Sequence, residues 1–280
     1  MGAAPGGNMQ KETDYGTGRI VSVSNGVSVY EQRSYKVVKA NEIVQKARND
    51  LTINQLKAFS FVLSKIKPTD TPGTWYSFSI KDYCKVMGVQ SDNGGNYMYT
   101  KKAFKSLRDT SFWLMDKDGK ETTVGYLEKV QMNRGSGTVR VKFDETLEDY
   151  LFGLRDNMLQ YSLIYALPMK SSYSFNLYEL LRSYAFTKSH EFTIEEFKLR
   201  MNCKYENFKD LRTRVIETAV REINIFTDLE VSWEGYKVGK KVEKIKFFIK
   251  EKDVWGQAEA AGKANAQIDG QMSLEDFKSE

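Results

Sequence analysis

Histidine is almost missing from this chain: His190 is the only one in 280 residues. No His-x-His pair exists, which weighs against a nicking enzyme that sets a tyrosine nucleophile beside a metal held by two histidines. A serine or cysteine triad would have to use His190, whose neighbours offer it no partner. It reads instead as a surface or capping residue. Cysteine is nearly as scarce. Cys84 and Cys203 fall at separate helices and lack metal-ligand spacing, which predicts two free thiols, a reducing compartment and no zinc site. The chain has no Gly-x-x-x-x-Gly-Lys-[Ser/Thr]. Gly235 and Gly239-Lys240-Lys241 have the wrong spacing and no hydroxyl, so a nucleotide-hydrolysing helicase is disfavoured. No run of about 18 apolar residues occurs and no basic-then-apolar segment opens the chain, so a soluble cytoplasmic protein away from membranes is expected. Carboxylates do cluster at Asp144, Glu145, Glu148 and Asp149, but in the pattern of a helix start after a strand. No catalytic residue, metal ligand or cofactor is expected.

What the chain does contain, it contains twice. The segment from Phe78 to Val89 returns as Phe192 to Cys203. Each copy opens with a hydroxyl residue followed three positions later by an acid (Ser79 and Asp82, Thr193 and Glu196), the spacing of a capping box. Apolar residues follow at a 3-then-4 rhythm: Ile80, Tyr83 and Met87, then Ile194, Phe197 and Met201. The copies end on Gly88 and Asn202, the residues best suited to a left-handed helix stop. Each is followed by a second helix rich in Lys and Arg. A short helix, a turn and a basic helix, occurring twice, point to a tandem DNA-binding protein. Charge agrees. The net charge is +5, and the stretch 257–280 alone carries −3, so the remainder stands at +8 and favours a polyanionic partner.

The length suits two domains of roughly 110 to 120 residues. Residues 1–18 are glycine-rich without apolar rhythm and read as a mobile tail. Asn25-Gly26 between Ile20, Val21, Val23 and Val27, Val29, Tyr30 predicts a small hairpin. A helix is predicted from about Asp50 to Ile66, capped by Thr52 with Gln55 and stopped by Lys67-Pro68. After the first copy of the repeat, the basic helix spans about Asn96 to Asp109. Strands follow at Phe112–Met115, Glu121–Met132 and Thr138–Phe143, with Arg134-Gly135-Ser136-Gly137 as the last tip. The order then repeats: a helix over about Ser171 to Ala185, the capped helix, a basic helix from Tyr205 to Asn224, and strands at Leu229–Trp233 and Val242–Ile249. Helix, helix, basic helix, hairpin is the winged-helix order. The predicted fold is therefore α+β: two tandem winged-helix domains, 19–160 and 161–255, between flexible tails, the last (256–280) acidic and disordered.

A helix-turn-helix lays its second helix in the major groove, so the side opposite the apolar stripe should carry donors. At 100° per residue, Tyr97, Thr100, Ala103, Phe104 and Leu107 share one side of the first basic helix. Lys102 and Lys105 face away, flanked by Lys101 and Arg108. A solvated basic face is the competing reading. On the second basic helix, Phe208, Leu211, Val215, Ile216, Ala219 and Ile223 form the stripe, and Arg214 and Arg221 point outward together with Asp210 and Glu217. Lys209, Thr213 and Arg214 are the better candidates for DNA contact. Arg212 projects into the stripe, which calls for a detour around the helix end or a buried carboxylate. The wings add Arg134 and Arg140 around the first tip, and Lys237, Lys240, Lys241, Lys244 and Lys246 around the second. They serve either phosphate contact or edge-strand protection.

Three further stretches carry a family likeness: Val38-Lys39-Ala40-Asn41-Glu42-Ile43-Val44 before Leu51-Thr52; Tyr173 to Leu181; and Phe208-Lys209-Asp210-Leu211-Arg212 running on to Asn224. With the repeat, they make the chain from about Val37 to Lys250 resemble the iteron-binding plasmid replication initiators, Rep proteins with two winged-helix domains. The resemblance implies binding to direct repeats in double-stranded plasmid origin DNA, opening of adjacent AT-rich DNA, and recruitment of the host initiator and replicative helicase. It also implies a homodimer that represses its own promoter and a monomer active in initiation. The first domain would mix DNA contact with dimerisation. The repeat-reading helix would place Lys209, Arg212, Thr213 and Arg214 on the DNA. A tandem winged-helix repressor without initiation activity remains open, as does, more remotely, a DNA-nicking replication enzyme.

Overall fold

The two copies of the repeat fold alike down to their last hydrogen bond. The computed structural model describes residues 20–22, 27–46, 50–89, 94–115 and 120–271. It begins with β1 (Ile20–Ser22), α1 (Val29–Ser34), β2 (Lys36–Ala40), α2 (Asn41–Lys46), α3 (Ile53–Leu63), β3 (Trp75–Ser79) and α4 (Ile80–Met87). The Ser79 hydroxyl caps α4 by accepting from the Asp82 amide, and Gly88 stops it at φ 73°. The chain continues through α5 (Gly95–Asp109), β4 (Ser111–Met115), β5 (Glu121–Gly125), β6 (Leu127–Asn133), β7 (Thr138–Phe143), α6 (Glu145–Glu148), β8 (Met158–Ser162) and α7 (Ser172–Ser183). The second copy is β9 (Ser189–Thr193) and α8 (Ile194–Arg200), where Thr193 accepts from the Glu196 amide. Asn202, at φ 46°, takes the place of Gly88. The same six-to-one bond closes both helices: Val89 N–H to Cys84 C=O and Cys203 N–H to Lys198 C=O, each 2.8 Å.

The rest of the second domain is a helix in three parts, α9 (Phe208–Asp210), a π turn (Leu211–Ile216) and α10 (Glu217–Phe226), then β10 (Leu229–Val238) and β11 (Lys241–Glu251). The strand before each capped helix pairs with the last strand of its own wing. The order is β3-β7-β6 in one domain and β9-β11-β10 in the other, with β1 added to the outer edge of β3. These are two winged-helix domains built on one plan. The remaining pairs, β2 with β8 and β4 with β5, are antiparallel.

One apolar core runs through both domains. Helix α3 is buried at every position from Gln55 to Leu63. Such a helix belongs inside a structure, not on it, and α3 contacts both α5 and α7. Lys39 of β2 donates to Glu179 of α7 at 2.7 Å, and the Tyr161 hydroxyl donates to the other Glu179 oxygen at 2.6 Å.

Three expectations are corrected. The hairpin at Asn25-Gly26 does not form: β1 pairs in parallel with β3, and Ser28 caps α1 through the Glu31 amide. Val29 and Tyr30 are β-formers by propensity, but Arg33 of this helix is buried and donates to the carbonyls of Lys85 and Val86 at the end of α4, so tertiary contact decides. Residues 23–26 lie outside the described ones, as do 1–19. The long strand Glu121–Met132 breaks at Tyr126 into β5 and β6, which join different sheets. The disordered tail 256–280 is, as far as residue 271, a helix, α11 (Val254–Gln271). Its buried residues Ala260, Ala264 and Ile268 recur every fourth position. The Ala-Gly-Gln composition disguised that stripe.

Candidate nucleic-acid interface

The second basic helix starts where Asn207 accepts from the Asp210 amide at 2.8 Å, and Phe208 packs edge-on against Trp233 of the wing. Its π turn has a consequence that no 100° projection captures. With i→i+5 bonding each residue advances less than in an α-helix, so Leu211 is buried, Arg212, Thr213 and Arg214 are all exposed, and Val215 and Ile216 are buried again. Arg212 therefore lies outside the apolar stripe, and the earlier conflict disappears. Thr218 closes the wide turn by donating its hydroxyl to the Thr213 carbonyl at 3.0 Å. Lys209 is exposed beside them.

Both arginines are lightly held. Arg212 pairs with Glu217 at 3.1 Å and Arg214 with Asp210 at 3.5 Å, with 49% and 65% of their side chains exposed. Exposed pairs of this kind are worth roughly 0.2–1 kcal/mol, so a phosphate or a base edge can replace them at little cost. The Arg214 guanidinium also lies 5.8 Å from the Tyr205 ring. The helix predicted from Tyr205 begins instead at Phe208, which leaves Tyr205 ahead of it beside Arg214.

The second wing is a long ribbon. β10 and β11 pair out to Val238 and Lys241, with an irregularity at Tyr236/Lys237, and the tip turns at Gly239, φ 62°. A positive φ there favours glycine. Lys237, Lys240 and Lys241 are exposed at this end and enter none of the ion pairs among the described residues. Lys244 is different: it pairs with Glu191 of β9 at 2.8 Å, and Lys246 lies over Phe248.

In the first domain, Lys101, Lys102, Lys105 and Arg108 are exposed on α5. Lys105 and Arg108 both pair with Asp109. Arg134 folds back from the wing tip to within 5.7 Å of the Tyr97 ring, which Lys101 approaches at 6.0 Å, so wing and helix converge. Arg140 is not at the tip. It sits mid-strand opposite Ser77 and Gln131, half-buried with its guanidinium 5.1 Å from the Trp75 ring.

His190 is half-buried in β9, and Thr193, not His190, caps the helix that follows. Its ring stacks on Tyr184 at 3.7 Å and touches Phe192, and burial holds its pKa below the usual value. Cys84 is buried beside Thr100, and burial pushes its thiol up to about 11, the reverse of a reactive cysteine. Among the described residues no group of three or more His, Cys, Asp or Glu could hold a metal ion, and no helix is long and apolar enough to cross a membrane.

Comparison with known proteins gives a consistent picture. A family model described as "Initiator Replication protein, WH1" matches residues 36–182, and one described as "Initiator Rep protein, WH2" matches 193–249. A "PI protein" from Escherichia coli is 28% identical over 156 residues, 48% of this chain and 50% of that protein. The chain thus spans about half the length of the curated relative it matches. A crystal structure of the Pi initiator protein in complex with iteron DNA matches with a TM-score of 0.67 at 20% identity, covering 79% of this chain and 99% of that one. At that identity the likeness speaks for the fold. Helix α11 follows both matched segments.

Proposed function

This chain belongs to the initiator replication protein family, and we propose that it is a non-enzymatic initiator that binds direct repeats in double-stranded DNA at a plasmid origin. One observation carries the proposal: the π turn sets Arg212, Thr213 and Arg214 side by side on the exposed face of the second basic helix, next to a lysine-tipped ribbon. In this reading the helix reads base edges in the major groove. Lys237, Lys240 and Lys241 hold phosphates, and the convergence of Lys101, Arg134 and α5 supplies a second contact from the first domain. The matched Pi initiator structure contains iteron DNA, which supports the same ligand for this chain. Opening of AT-rich DNA, recruitment of the host initiator and helicase, and self-repression as a dimer belong to the same proposal, as does action in the bacterial cytosol on plasmid DNA. Domain limits at 160 and 255 are part of the same reading, whereas the matched segments run over 36–182 and 193–249, which puts α7 in the first of them.

Binding titrations on DNA from around the coding gene test the proposal. Tight, repeat-dependent binding to direct repeats is expected, with no strand cleavage in a divalent metal. Preference for a single inverted repeat would favour a repressor, and metal-dependent nicking would overturn the non-enzymatic assignment.

A further inference from the structure

A cavity of about 880 Å³ opens between α3, α5, residues 167–170 and α11, within the ~300–1,000 Å³ range of small-ligand sites. One side is cationic. Lys57 of α3, Lys102 of α5 and Lys170 from the segment before α7 all line it. Lys57 is only 4% exposed, and no hydrogen bond or ion pair within 4 Å holds its ammonium among the described residues, although Glu222 attracts it at longer range. Burial lowers its pKa to about 8, a shift that Glu222 opposes and Lys170 reinforces. Glu222 is not part of the cavity wall; it acts from behind, 3.4 Å from the Lys170 amide. The start of α3 also faces the cavity: Thr52 and Gln55 satisfy one another in a capping box, whereas helix geometry gives the amides of Ile53 and Asn54 no internal acceptor. A helix start and an unpartnered buried cation beside it form an anion seat. The opposite wall is apolar, with Leu167, Met169 and Ile268 of α11.

We propose that this cavity binds a small, multiply charged phosphorylated metabolite of nucleotide size, its phosphates on Lys57, Lys170 and the start of α3, its apolar portion against Leu167 and Ile268. A duplex cannot enter a cleft that leaves Lys57 4% exposed, so the ligand is a small molecule, although Lys102 of the cavity wall is also a candidate DNA contact. Because its walls come from α3, α5 and residues 167–170 on one side and from α11 on the other, and α11 also contacts α10, occupancy ties the first domain's basic helix to the second domain through α11.

The test uses the full chain without DNA, with ATP and inorganic pyrophosphate as probes, followed by calorimetry and thermal unfolding. Saturable binding at one site per chain is expected, tighter for ATP, and weakened by about tenfold or more in Lys57→Met and in Lys170→Gln. Lys57→Met removes an unpaired buried charge, so it should unfold at or above the wild-type temperature, which separates lost binding from lost folding. Absence of saturable binding by either probe in the wild type would overturn the proposal. So would equal affinities in wild type and both variants, or a loss confined to Lys240→Ala/Lys241→Ala, which would move the anion to the wing.

Discussion

Replacing Gly88 with Ala should release helix α11 from the first domain. Gly88 ends α4 at φ 73°, and a left-handed conformation costs a residue with a Cβ about 1–2 kcal/mol. A Cβ built there would also stand 2.6 Å from Ile268 Cγ2 and closer still to the Ile268 carbonyl oxygen. A backbone atom cannot step aside as a side-chain tip can, so α11 must lift. Ile268 is 3% exposed, and losing its burial costs about 1.5–3 kcal/mol more. The total is about 2.5–5 kcal/mol, of which the Ile268 part, about 1.5–3 kcal/mol, falls on the docking of α11. It also bears on the contacts of Arg33 to Asn265 and Asp269, both 2.9 Å. Gly73 supplies the control: its φ is 84° but nothing lies within 4 Å of the added Cβ, so Gly73→Ala should show the conformational cost alone, about 1–2 kcal/mol. Amide hydrogen exchange in α11 reads the difference, and protection should fall in Gly88→Ala only. Equal protection of α11 in the two variants would refute the reasoning, because it would mean that α11 is not seated on Gly88.

Three other outcomes are expected. Lys240→Ala with Lys241→Ala should flatten the log–log salt dependence of DNA binding by about one to two units; an unchanged slope would return these lysines to edge protection. Glu179→Leu strands the buried Lys39, whose side chain is 4% exposed, and should cost about 3–5 kcal/mol in urea unfolding, most of it recovered when Lys39→Met is added. Lys57 has a folded pKa of about 8 against an ordinary 10.5, so between those values the folded chain binds fewer protons than the unfolded chain, and stability rises with pH. Unfolding curves should show the wild type gaining about 3 kcal/mol across that window, with no such gain in Lys57→Met.

The framework of both domains was legible because local signals and tertiary packing agree there. Ser79 and Thr193 cap what their spacing says they cap, and Gly88 and Asn202 stop the helices in left-handed backbone. The exposed faces of α5 and of the second basic helix followed from periodicity. The failures share a cause, the assumption of regular geometry or of local control. Arg212 was misprojected because one π turn changes the angle per residue, and its bonding leaves no mark in residue types. Arg140 was placed by nearness in sequence to a tip, whereas strand alternation turns it onto Trp75. The hairpin at Asn25-Gly26 lost to contacts of Arg33 with residues some fifty positions away. Helix α11 was dismissed on composition, although Ala260, Ala264 and Ile268 already stood one turn apart. Lys57 and Lys170 come together only in the folded chain, which local periodicity cannot show.

The central claim is that the π-turned helix of the second domain reads directly repeated DNA. Hydroxyl-radical footprinting on the DNA flanking the coding gene, comparing the wild type with Arg212→Ala/Arg214→Ala, tests it most directly. The wild type should protect several direct repeats in helical phase, and the double variant should lose protection of the bases facing the second domain while keeping its fold by circular dichroism. Protection of the same repeats by the double variant at the same concentration would contradict the account.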